Sequence, residues 1–164
     1  MSRVDSILAG MGLALPPPKA PVANYLGTKR SGNLLFVSGR VSEKRGQVDA
    51  EVSEQEAKLA ARDTVLDLLA IIKADIDDLD DIVSIVKLQG FVNSSMSFNA
   101  QPKVIDGASE LLIALYGEAG KHARTATGAA QLPYGASIQL DMVVELADKK
   151  IQKPDRHGNE SFTR

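Results

Sequence analysis

Ala61, Val65, Leu68, Leu69 and Ile72 recur at the offsets that lay one apolar stripe along a helix of about five turns. Just upstream, Ser53-Glu54-Gln55-Glu56 has the form of a capping box, in which the serine oxygen and the glutamate three residues on each satisfy an orphan backbone donor. The spacing therefore predicts a helix beginning at Ser53. A second helical pattern runs from Phe98 to Tyr116 through Val104, Ala108, Leu111, Leu112 and Leu115, with Pro102 in its first turn, where proline is tolerated. A shorter pattern over Ser2–Met11 (Val4, Ile7, Leu8, Met11) predicts a helix that Pro16, Pro17 and Pro18 bring to an end.

Elsewhere the period falls to two. From Ser137 to Ala147, Ile138, Leu140, Met142, Val144 and Leu146 share one face of a strand, and Gln139, Asp141, Val143 and Glu145 share the other. Ile82–Val92 is rich in β-branched residues and reads as a strand. So does a segment near Thr125–Gln131, followed by a turn at Pro133-Tyr134-Gly135. From Tyr25 the chain reads as a hairpin turning at Ser31-Gly32-Asn33, with Leu34–Val37 as a short buried strand. The acidic run Asp75–Asp81 lacks the central glycine and terminal glutamate of a calcium loop and is expected to be a solvated turn. Hairpin, helix, strand, helix and strand pair make an α+β fold, a mixed sheet with two long helices on one face. Its other face is left for water or a subunit interface.

The 164 residues are one domain's worth, enough to bury roughly two-thirds of the unfolded surface. With 19 basic against 21 acidic residues, a net charge of -2 and 4% aromatics, nucleic acid is disfavoured as a partner. No apolar run is long enough for a membrane span, and a cytoplasmic location is expected. The absence of cysteine excludes thiolate chemistry, disulfides and cysteine-based metal sites. The two histidines, His122 and His157, are too few for an imidazole-based metal centre, so no metal is expected; a Ser-His-Asp triad would have to use His122, and no G-x-S-x-G elbow occurs. Residues 1–19 read as an N-terminal extension and 20–147 as the folded domain. Residues 148–164, with five basic and three acidic side chains, read as a polar, flexible tail.

Three stretches in order resemble the YjgF/Rid family of reactive-intermediate deaminases, over roughly residues 20–147. The first is Asn24-Tyr25 followed by the hairpin and Leu35-Phe36-Val37-Ser38-Gly39-Arg40, similar to a family strand pair ending in Ser-Gly-Gln. The second leads to Lys87-Leu88-Gln89-Gly90-Phe91-Val92, and the third is His122-Ala123-Arg124-Thr125, Leu132-Pro133 and the alternating final strand. The resemblance implies a chorismate-mutase-like fold assembled as a homotrimer, with the sheets forming a central barrel and ligand clefts between subunits. It further implies cofactor-independent hydrolysis of enamines and imines to 2-keto acids and ammonia. The N-terminal extension and the longer Gln101–Arg124 segment place the chain in a longer branch, without a secure counterpart of the family's asparagine on the second helix.

By the same resemblance, Arg124 is the pocket arginine, whose planar fork suits a small carboxylate metabolite held at two points. Ala126 offers the backbone that helps place the attacking water, Ser38 and Gly39 line the pocket, and Tyr25 forms an aromatic wall. Gln139 stands where the deaminase subgroup has a glutamate, and an amide can orient a water but cannot take its proton. Two readings therefore stand side by side: an imine hydrolase using Arg124 and Gln139, and a non-catalytic trimer that binds a small carboxylate and serves regulation. A ribonuclease lacks the basic, aromatic-interleaved patch it would need.

Overall fold

In the computed structural model, residues 1–21 and 23–148 are described. The expected tail lies almost wholly outside them. Helix α1 spans Arg3–Gly10, β1 Thr28–Ser31, β2 Leu34–Val41, α2 Glu54–Ile76, β3 Ile82–Asn93, α3 Gln101–Tyr116, β4 Ala123–Ala129 and β5 Ile138–Leu146. The strands form one sheet in the order β1-β2-β5-β3-β4; all its pairings are antiparallel except β3 with β4, which is parallel. The expected α+β fold, a mixed sheet backed by two long helices, is the observed one.

The capping box at α2 is complete: Ser53 Oγ accepts from the Glu56 amide at 3.2 Å and the Glu56 carboxylate accepts from the Ser53 amide at 2.9 Å. All five stripe residues of α2 are fully buried. They meet the inward face of β5, whose Ile138, Leu140, Met142, Val144 and Leu146 are each no more than 3% exposed. Helix α3 lies beside α2 on the same face, and the two approach closely at Gly107, where an added Cβ would sit 2.1 Å from the Lys58 carbonyl oxygen. That backbone contact fixes how closely α3 stands to α2.

Helix α1 also joins the core. Val4 and Leu8 are buried as its spacing predicts, whereas Met11, beyond the last turn, is exposed. Asp80, next to the end of the acidic run, is not merely solvated: its carboxylate accepts from the Arg3 and Val4 amides at 2.6 and 3.0 Å and so helps cap α1. Two boundaries move. Helix α3 starts at Gln101 rather than Phe98, because the Phe98 amide turns back to the Ser95 carbonyl. Strand β4 runs over 123–129, two residues earlier than expected, because it follows the register of β3.

The last two strands are not neighbours. After Pro133-Tyr134-Gly135 the chain crosses β3 and inserts β5 between β2 and β3, leaving β4 as a sheet edge. The face of the sheet away from the helices carries half-buried Phe91, Val143, Gln139 and Asp141 and exposed Phe36, and no element of the chain covers it among the described residues. No helix among them is long and apolar enough to cross a membrane.

Candidate functional site

Strand β2 outruns its hairpin partner. β1 pairs with residues 34–37, and directly afterwards the register with β5 shifts between Val37 and Arg40, placing one extra residue at Ser38-Gly39. Such a bulge bends a strand and re-aims its side chains. A cavity of about 610 Å³ opens here, with Tyr25, Ser38, Gly39, Arg40, Asp67 and Gln139 in its lining together with Lys19, Arg45 and Tyr134. Four sequence-predicted site residues, Tyr25, Ser38, Gly39 and Gln139, are thus brought together. A Cβ on Gly39 would stand 3.4 Å from the Gln139 amide nitrogen, so the two line one wall in near contact.

The polar groups of this cavity are held from several directions. Ser38 Oγ donates to the Leu26 carbonyl at 2.6 Å. Lys19 pairs with Glu43 and lies 3.5 Å from Asp67, and Arg40 Nη2 donates to the Lys19 carbonyl at 2.9 Å. Arg40 Nε is buried without a hydrogen-bond partner among the described residues. Arg45 donates to the Tyr134 carbonyl at 3.1 Å and stacks over its ring, on a turn where Tyr134 itself has a left-handed φ of 60°. Burial raises the Asp67 carboxyl above its ordinary value, partly offset by Lys19, and burial likewise raises Asp141 on the open sheet face, offset by Lys87.

Arg124 and Ala126 lie elsewhere. Both sit on β4, where they pair with Leu88 and Gly90 of β3 on the face toward the helices. Gln139 pairs instead with Phe91, which pairs with Thr127, a row on the opposite face. With about 4.8 Å between strands, β4 stands roughly 10 Å from β5 and 14 Å from β2 across the sheet. One copy of the chain therefore holds the expected residues as two groups.

The Arg124 group is built from α3 and β4. Arg124 Nη1 donates to Asp106 Oδ1 at 2.7 Å and to Ser109 Oγ at 3.1 Å, while Nε and Nη2 make no hydrogen bond among the described residues. Ser109 Oγ lies 3.0 Å from His122 Nε2, and His122 Nδ1 lies 2.7 Å from the Gly120 carbonyl oxygen. A carbonyl can only accept, so Nδ1 carries the proton and Nε2 presents its lone pair to the serine hydroxyl. Burial holds the His122 imidazole below its ordinary value of 6.5, and Arg124 pushes in the same direction against the Gly120 hydrogen bond, which favours protonation.

Asp106, Ser109 and His122 were not among the sequence-predicted site residues, yet the signal is present. Asp106 and Ser109 are three apart on a helix, and His122 and Arg124 two apart on an extended stretch, so each pair shares a face. What spacing cannot supply is the pairing of those two faces, set by the parallel β3–β4 register and the close seat of the turn after α3. A Cβ at Gly120 would stand 2.3 Å from the Leu112 carbonyl oxygen.

Residues 5–146 match the family model described as "YjgF/chorismate mutase-like, putative endoribonuclease". Protein TCP17 of Trypanosoma cruzi is 41% identical over 151 residues, covering 88% of this chain and 94% of that protein. The crystal structure of Atu1372 from Agrobacterium tumefaciens, a protein of unknown function, superposes with a TM-score of 0.83 at 38% identity, over 88% of this chain and 93% of that one. A structure from Shewanella oneidensis MR-1, described as a "putative endoribonuclease", superposes with a TM-score of 0.84 at 31% identity, over 87% and 99% of the two chains.

Proposed function

The chain belongs to the YjgF/chorismate mutase-like family, and from that premise we propose that it is a cofactor-independent hydrolase of small 2-imino acids, yielding 2-keto acids and ammonia. The observation that carries this reading is the Arg124 guanidinium. Asp106 and Ser109 occupy one of its nitrogens and fix its plane, and the other two nitrogens, which make no hydrogen bond among the described residues, can grip a carboxylate at two points. An imine carbon is already electrophilic, so a held substrate and a placed water do most of what hydrolysis requires.

We place the reaction in a cleft between copies of the chain. Tyr25, Ser38, Gly39 and Gln139 lie toward the β2 end of the sheet, and Arg124 and Ala126 lie on the free β4 edge. A two-fold contact sets like against like. A head-to-tail contact sets the β4 edge of one copy against the β2 end of the next, and such contacts close into rings. A homotrimer of this kind also buries the open sheet face with Phe36, Phe91 and Val143, and its water stands between Gln139 and the Ala126 backbone.

Gln139 favours a second reading, a trimer that binds a small carboxylate without turning it over and serves a regulatory role. The same experiment separates the two. 2-Iminopropanoate, generated in situ, is offered to the protein and to Arg124→Ala, and pyruvate release is followed above the spontaneous rate. Acceleration by the parent and not by the variant supports the hydrolase, whereas pyruvate binding without acceleration supports the binding trimer.

A further inference from the structure

A hydrolase with an amide at Gln139 needs another group to take the proton of its attacking water, and the only histidine within the described residues stands beside Arg124. The hydrogen-bond count around Ser109 is informative. Its hydroxyl has one proton to donate and two lone pairs. The proton goes to His122 Nε2, whose tautomer the Gly120 carbonyl fixes, and one lone pair receives Arg124 Nη1. One lone pair is left, next to the guanidinium that holds the substrate in the reading above. A water donating to it would be joined to an imidazole through a single hydroxyl.

We infer that His122, acting through the Ser109 hydroxyl, accepts the proton of the water that attacks a substrate held by Arg124. The inference rests on the hydrolytic reading and names the base that reading lacks. In the step itself the water oxygen bonds to the carbon of the protonated imine. The water proton passes to Ser109 Oγ as the Ser109 proton passes to His122 Nε2, and the C=N π pair moves to nitrogen. His122 then returns its proton to that nitrogen by the same route. The C–N bond then breaks with its electron pair leaving on nitrogen as ammonia, the new hydroxyl gives its proton through Ser109 to His122 as C=O forms, and His122 passes that proton to the departing ammonia, so protonated imine and water become keto acid and ammonium.

The surroundings suit a neutral imidazole that charges only transiently. The charged groups on the elements around His122 are Arg124 on the strand it leads into, Lys103, Asp106 and Glu110 on α3, the Glu118–Lys121 ion pair of the preceding turn and Lys87 on β3. Of these, Arg124 disfavours protonation of the ring, and Asp106 is taken up by Arg124. Burial acts in the same direction, so the ring is in its basic form at neutral pH. The Gly120 carbonyl stabilises the imidazolium once formed, through the same Nδ1 hydrogen bond.

The test is the pH dependence of pyruvate release from 2-iminopropanoate generated in situ, for the parent, His122→Gln and Ser109→Ala. Circular dichroism and calorimetric pyruvate binding are measured alongside. The parent's rate falls on the acid side as a group below the ordinary imidazole range becomes protonated. Both variants lose roughly 10²-fold in kcat and lose that acid limb, while pyruvate affinity stays within a few-fold in His122→Gln, which leaves the hydrogen bonds of Arg124 in place. If His122→Gln does not fold, Ser109→Ala alone decides. Parent turnover with variants that keep the same rate and pH profile overturns the role of His122 and leaves the hydrolase standing. No turnover by the parent at any pH overturns both.

Discussion

The cavity at the β2 bulge and the corner where α3 meets β4 are two regions of one sheet, built in different ways. The cavity is assembled from far-apart pieces: Lys19, Ala20 and Tyr25, the end of β2, Asp67 on α2, Gln139 on β5 and the turn at Tyr134. Its charges answer one another across those pieces, as Lys19 does with Glu43 and Asp67. The corner is assembled from a helix and the strand that follows it, and its four polar side chains form one chain of hydrogen bonds from Asp106 to His122. A loop-built cavity can be reshaped to suit a ligand, whereas a helix-and-strand corner fixes direction. On the hydrolytic reading proposed above, specificity belongs to the first and chemistry to the second.

The sharpest way to break that division is Arg124→Ala. It should lower kcat/KM for 2-iminopropanoate by roughly 10²-fold or more, since two charge-assisted hydrogen bonds to the carboxylate are lost. Arg124→Lys should fall nearly as far, because a point charge cannot replace the fork. A lysine variant with parental kinetics would reduce Arg124 to a charge and leave the corner no directional role.

Gln139→Glu sharpens the comparison from the other side. If the cavity wall meets the corner in an assembled cleft, a carboxylate there adds a second proton acceptor and should raise imine hydrolysis by about tenfold, with weaker pyruvate binding from the added negative charge. Both changes should fade below the carboxylate's pKa. Calorimetry and the release assay across pH would show whether they travel together.

Ser53→Ala removes the cap of α2, which floors the cavity through Asp67 and contributes no side chain to the corner. It should cost about 1 kcal/mol of stability, read as a lowered denaturant midpoint with unchanged kcat. A fall in kcat would mean that the corner depends on the cavity's scaffold.

The smallest effect belongs to Asp67. Its carboxyl is raised above 3.8 chiefly by burial, so the folded state holds the proton more tightly than the unfolded one. Its contribution to stability is therefore fully present below 3.8 and lost as pH rises through the raised value. Asp67→Asn should flatten that part of the stability profile, with melting temperature at neutral pH unchanged or slightly higher. A lower melting temperature would show that the Lys19 contact outweighs the burial.

Local pattern made much of this molecule legible. The capping box at Ser53, the stripe from Ala61 to Ile72 and the alternation from Ile138 to Leu146 each report a contact within one element, and each is where the spacing puts it. The place of β5 was not legible, because nothing local distinguishes a strand that pairs with its sequence neighbour from one that crosses over to split an earlier pair. For the same reason the grouping of Tyr25, Ser38, Gly39 and Gln139 could be anticipated only by resemblance. Asp106, Ser109 and His122 went unmatched until the β3–β4 register placed helix face against strand face.

The insertion of β5 between β2 and β3 also orders events during synthesis. The middle strand of the sheet is the last of the described strands to be translated, so β2 and β3, which can already pair with β1 and β4, each keep one open edge until Ile138–Leu146 has left the ribosome. Contacts this distant along the chain close slowly. A chain halted before residue 138 contains the sequence of every described helix and of the hairpin but lacks the strand that joins the two halves of the sheet.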